Sequence, residues 1–123
     1  MPNGLRLLVT APALRDIAAI LKTSLLEFGE EASIRYRVLI RQALIHITED
    51  PEMPGSKQRP ELMVDEARTY HLSFSRYKPQ HTGVKSPRHL LFYRRVGDVP
   101  EVGRVLHEDR DLGRHLPPRY RVR

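Results

Sequence analysis

Arg88-His89-Leu90-Leu91-Phe92-Tyr93-Arg94-Arg95-Val96-Gly97-Asp98-Val99-Pro100-Glu101-Val102-Gly103-Arg104-Val105-Leu106 reads as a β-hairpin. The first arm, 88–96, is apolar on both faces through Leu90-Leu91-Phe92-Tyr93, the composition of a strand with neighbours on either side. Gly97-Asp98 turns the chain, and 99–106 returns antiparallel. Pro100 falls at the start of the return arm, where a missing N–H is tolerated. By simple alternation Arg104 shares a face with Val102 and Leu106.

Upstream, Tyr70, Leu72 and Phe74 alternate with polar residues, which predicts a further strand over 68–75. The segment 76–87, with Gly83 and two prolines, reads as a mobile connection. The segment 49–67, with Pro51, Pro54, Gly55 and Pro60, reads as a long loop of the kind ordered by a partner. Before it lie two helices. Thr10 caps the first, 11–28, whose apolar positions Leu14, Ile17, Ala18, Leu21, Leu25 and Phe28 recur at helical spacing. Gly29 ends it in a left-handed conformation. The second, 30–49, opens on Glu30 and Glu31, which suit a helix N-terminus, and Asp50-Pro51 stops it. Its stripe is Ala32, Tyr36, Ile40, Ala43 and Ile47. A single glycine between amphipathic helices implies an antiparallel helical hairpin. Leu5-Arg6-Leu7-Leu8-Val9 supplies a first strand over 5–9. The expected fold class is therefore α+β: an N-terminal strand and a helical hairpin packed on a curled antiparallel sheet, in one domain over 1–123 that ends in a basic tail over 107–123.

The chain has 123 residues, no cysteine and a net charge of +6. Residues 1–66 hold 8 basic and 10 acidic residues, residues 67–123 hold 13 and 5, so the positive charge belongs to the second half. That asymmetry points to an acidic or polyanionic partner. Without cysteine there is no disulfide framework and no thiolate chemistry. The start of the chain has no basic, apolar leader and no segment long enough to span a bilayer, so a cytoplasmic location is expected.

Three stretches resemble the RelE/ParE toxin superfamily, and within it the ParE-like branch. They are Thr10-Ala11-Pro12-Ala13-Leu14-Arg15-Asp16-Ile17, then Arg68-Thr69-Tyr70-His71-Leu72 ending at Ser75-Arg76, and Pro87-Arg88-His89-Leu90-Leu91-Phe92-Tyr93-Arg94. The last continues into Glu101-Val102-Gly103-Arg104-Val105-Leu106-His107 and Asp111-Leu112. The resemblance implies the toxin of a type II toxin–antitoxin system, neutralised by a cognate antitoxin protein. ParE members act on DNA gyrase by protein–protein contact, whereas RelE members cleave mRNA on the ribosome.

Both readings draw on the same basic residues. Metal-free RNA cleavage needs a base, an acid and cations on the phosphate. RelE-type nucleases place part of that set after the last strand, where this chain has His107, Arg110 and His115, with Arg88 and Arg104 as phosphate contacts. The ParE-like branch generally lacks the nuclease set, so the first expectation is no catalytic activity of its own. The candidates then become contacts to antitoxin or target: Arg37, Arg41, Arg88, Arg104, His107, Arg110 and Arg114. His71 and His89 lie within strands and read as structural histidines. No spacing of histidines and carboxylates suits a metal, so neither metal nor cofactor is expected. Neither is sequence-specific DNA binding, since there is no helix-turn-helix and the family leaves that to the antitoxin.

Overall fold

The computed structural model describes residues 6–77, 81–117 and 120. In chain order these form strand β1 (Leu8–Val9), helices α1 (Ala11–Phe28) and α2 (Glu30–Glu49), then strands β2 (Ser56–Gln58), β3 (Arg68–His71), β4 (His89–Val96) and β5 (Val99–His107). The architecture is α+β, with two helices and one five-stranded mixed sheet in the order β1-β5-β4-β3-β2. β1 runs parallel to β5, and the other neighbours are antiparallel.

Local chemistry explains the helix ends. The Thr10 hydroxyl accepts the Ala13 N–H at 3.1 Å, satisfying a donor that the first turn leaves orphaned. It also donates to the Gly103 carbonyl at 2.8 Å, so the same cap fastens α1 to β5. Gly29 joins the helices at φ 95°, ψ 175°. The positive φ is as expected, but with an extended rather than left-handed ψ, a region that glycine alone enters freely.

Two buried layers result. On the hairpin side, Leu39, Ile40, Ala43 and Ile47 of α2 and Ala13 of α1 meet Tyr70, Leu91, Tyr93, Val102 and Val105 of the sheet. On the other side, Phe92 is covered by Val64, Ala67, Leu116 and Tyr120. The tail after β5 is thus not merely a charged appendage, because Leu116 and Tyr120 close the second face of the sheet.

Several expectations need correction. The loop expected over 49–67 contains β2 and a 3-10 turn, Pro60–Leu62. It is tied down within the chain: the buried Tyr93 hydroxyl donates to the Pro51 carbonyl at 2.5 Å and lies 2.6 Å from Ser56 Oγ. The strand expected over 68–75 stops at His71, and Leu72–Ser75 is a 3-10 helix. The cause is Ser75, fully buried against α2. Its hydroxyl meets His46 Nδ1 at 2.5 Å and the Tyr70 hydroxyl at 2.8 Å, and its carbonyl accepts from Gln42 Nε2 at 2.8 Å. Phe74 accordingly leaves the core and is half exposed. On α1 the inward face is Ala13, Ile17, Ile20 and Leu21, while Leu14, Leu25 and Phe28 are exposed. The N-terminal strand expected over 5–9 is two residues long among the described residues, and Leu5 lies outside them. The expected strand 88–96 begins at His89, and 99–106 extends to His107. Residues 78–80 of the expected mobile connection, and residues 118, 119 and 121–123 of the basic tail, lie outside the described residues.

The alternation argument for Arg104 also fails. Tyr93 pairs with Val102 but Phe92 pairs with Arg104, so Gly103 is an extra residue, a β-bulge. Val102 and Val105 therefore share the hairpin face, and Arg104 does not share a face with Val102. A side chain at Gly103 would sit 2.7 Å from the Tyr120 ring, which explains a glycine there.

Candidate functional site

The bulge decides which residues meet at the open end of β4 and β5. A regular hairpin from Val96↔Val99 would set His89 opposite Leu106. The extra residue at Gly103 sets it opposite His107 instead. His71 ends the next strand, β3, opposite Leu90. Three histidines thus stand at the ends of three neighbouring strands, and their hydrogen bonds fix each ring.

His71 Nδ1 accepts the Ser73 N–H at 3.1 Å, leaving its proton on Nε2, which donates to Glu108 Oε1 at 2.8 Å. The other oxygen of Glu108 accepts from Arg88 Nη1 at 2.8 Å. These bonds hold the Glu108 carboxyl below the usual carboxylate range, Arg88 first and His71 second, and raise the Arg88 guanidinium in turn. His89 Nδ1 lies 2.6 Å from the Tyr36 hydroxyl, which itself accepts the Arg88 N–H at 3.3 Å. His107 Nδ1 accepts the Asp109 N–H at 3.1 Å. The rings of His89 and His107 meet edge to face at 5.5 Å. When neutral, His71 and His107 therefore carry their proton at Nε2.

Burial pushes the Tyr36 hydroxyl up to about 12 and His89 down to about 4, the latter helped by the neighbouring His107 and His71. At neutral pH His89 is a hydrogen-bond donor without charge. A folded-state pKa below the unfolded value of about 6.5 means that the unfolded chain binds more protons between pH 6.5 and 4. Stability contributed by neutral His89 is fully present above that window and is lost as pH falls through it. Urea unfolding of wild type and His89→Gln is expected to show a difference in pH dependence on the order of 2 kcal/mol across the window. Identical pH profiles would contradict the buried, neutral imidazole.

Beside this cluster lies a groove of about 900 Å³ between the α1–α2 hairpin and the segment 83–89. Ile20, Ala32 and Val84 give it carbon walls, and Tyr36, His89 and His107 line it as well. A second hollow, of about 480 Å³, lies beside β2 and β3. There Arg95 stands within 4.0 Å of Glu52, Glu66 and Asp98, so its charge is compensated locally.

The structure separates the residues picked out by sequence. His107 lines the groove, while Arg110 and His115 are not among its lining residues. Arg110 is exposed in the turn after β5, its N–H bonded to the His107 carbonyl. His115 gives its carbonyl to Arg104 Nη1 at 2.8 Å. The proposed nuclease trio of His107, Arg110 and His115 is therefore not drawn into one pocket. Arg104 does not face a groove either: it forms a two-point ion pair with Asp16, at 2.6 and 2.8 Å. Arg88 is mostly exposed and bound to Glu108, and Arg114 is exposed 3.6 Å from Asp111. Arg37 and Arg41 lie exposed, one turn apart on α2. His89, read as structural, is both hydrogen-bonded and part of the groove. Tyr36 and Glu108 escaped notice because neither type is conspicuous alone; the bulge register would have pointed to the histidines.

Among the described residues no group of three or more His, Cys, Asp or Glu side chains could hold a metal ion. Among them, too, no helix is long and apolar enough to cross a membrane. Compared with protein-family models and with curated proteins, the chain matches none of either.

Proposed function

We propose that this chain is a toxin of the RelE/ParE kind, ParE-like, which inhibits DNA gyrase by protein–protein contact in the cytoplasm and is neutralised by a cognate antitoxin. The observation that carries this reading is the joint use of the motif residues. Thr10 and Asp16 of the first stretch bond directly to Gly103 and Arg104 of the last. Residues that resemble one family in sequence thus act together in one joint of the fold. The dispersal of His107, Arg110 and His115 favours contact over catalysis, and the excess of basic residues in the second half suits acidic partners.

One arrangement favours the second reading, metal-independent mRNA cleavage on the ribosome. His89 and His107 line one groove together with Arg88, a set of residue types able to hold a phosphate and exchange a proton. Expression without antitoxin separates the two. The first reading expects DNA breaks in cells and gyrase-dependent cleavage complexes with purified protein. Intact DNA with truncated mRNAs would overturn it in favour of cleavage, and harmless expression of folded protein would overturn both.

A further inference from the structure

The groove beside His107 combines two surfaces that rarely coincide without a ligand. Ala19, Ile20, Phe28, Ala32 and Val84 expose carbon to it, surface whose removal from water is favourable at about 25 cal/mol per Å². Around them stand Arg35, paired with Glu31 at 3.7 Å, Arg88, paired with Glu108 at 2.8 Å, and the exposed Lys85, with Glu27 as the one acid among the lining residues. The Asp109 N–H bond to Nδ1 of His107, another lining residue, leaves an Nε2–H donor on that ring. The volume of about 900 Å³ falls in the range of small-molecule sites, and the segment 83–86 walls the groove opposite the helices.

We propose that this groove binds an organic anion with an apolar body, of the medium-chain carboxylate class. The body lies along Ile20, Ala32 and Val84, and the carboxylate meets Lys85 and the Nε2–H of His107. The basic rim selects the anion, because a like charge at the same place would be repelled. The carbon walls supply most of the affinity, so inorganic phosphate alone is a poor ligand. Binding here requires neither gyrase nor an antitoxin, and so stands apart from the toxin reading.

The full chain titrated with decanoate, decanol, decylammonium and inorganic phosphate, followed by NMR, tests the site. Decanoate is expected to shift the signals of Val84, His89 and His107 saturably, about tenfold more tightly than decanol. Decylammonium and phosphate are expected to leave those signals in place. Lys85→Glu, an exposed substitution, should weaken decanoate about tenfold and leave decanol unchanged. Ala32→Phe should block both, with retained thermal unfolding showing that the fold survives. Equal binding of decanoate and decylammonium, shifts confined to other surfaces, or unchanged decanoate affinity in Lys85→Glu would each overturn the proposal.

Discussion

Asp16→Ala is expected to destabilise the fold by about 3–5 kcal/mol, read as a fall in the urea midpoint. One carboxylate performs three tasks. Oδ2 accepts from Arg104 Nε at 2.6 Å and from the Val105 N–H at 2.9 Å, and Oδ1 accepts from Arg104 Nη2 at 2.8 Å. Both side chains are largely shielded, at 15% and 22% exposure, and the bond to Asp16 raises the Arg104 guanidinium further. Alanine would leave a largely shielded cation with only the His115 carbonyl to accept from it, and the Val105 N–H with no side-chain acceptor, which costs far more than a surface ion pair is worth. Asn keeps the shape and one acceptor, so Asp16→Asn should lose less. Asp16→Leu combined with Arg104→Met removes the stranded charge and should recover part of the loss. A midpoint for Asp16→Ala within about 0.5 kcal/mol of wild type would refute this account.

Tyr120→Ala should cost about 3–4 kcal/mol, the usual range for emptying a large aromatic site. Tyr120 is 3% exposed and closes the sheet face away from the helices. Its ring lies 5.6 Å from that of Phe92 and 3.9 Å beneath the Arg94 guanidinium. The hydroxyl donates to Glu101 Oε1 at 2.5 Å, and Arg94 Nε bonds the same oxygen at 3.2 Å. Tyr120→Phe retains the packing and loses the hydroxyl, so about 1 kcal/mol is expected. The order wild type, Phe, Ala is the diagnostic result. Equal losses for Phe and Ala would place the stabilisation in the hydroxyl rather than the ring.

The helices were legible because their signals are local: the Thr10 cap, Gly29 and Asp50-Pro51 all act within a turn or two of the elements they bound. The hairpin of β4 and β5 was legible through Gly97-Asp98 and the apolar run before it. What escaped depends on residues distant in the chain. The end of β3 is decided by Ser75 meeting His46 and Gln42 of α2, and β2 exists through its pairing with β3. The inward face of α1 is chosen by β5, which a helical period alone does not locate. For the site, charge drew attention to the arginines, yet the meaning of Arg104 lies in Asp16, 88 residues away. The pairing of His89 with His107 follows from a bulge that Tyr120 and Thr10 both contact, and no window around Gly103 contains either partner.

The joint between Thr10, Asp16 and β5 has a consequence in time as well as in space. Its hydrogen bonds span 93 and 88 residues, so a growing chain must be synthesised through Arg104 before α1 can make this joint. Contacts of such separation form late, after the loop-closure entropy between them has been met. A nascent chain that stops before Gly103 holds the helical hairpin, β3 and β4 but lacks Val105 and the hydrogen bonds that fix α1 to β5. Such a fragment is material for proteases and chaperones rather than for any partner. This joint thus forms only once β5 has been made, and a chain cut before Gly103 lacks it.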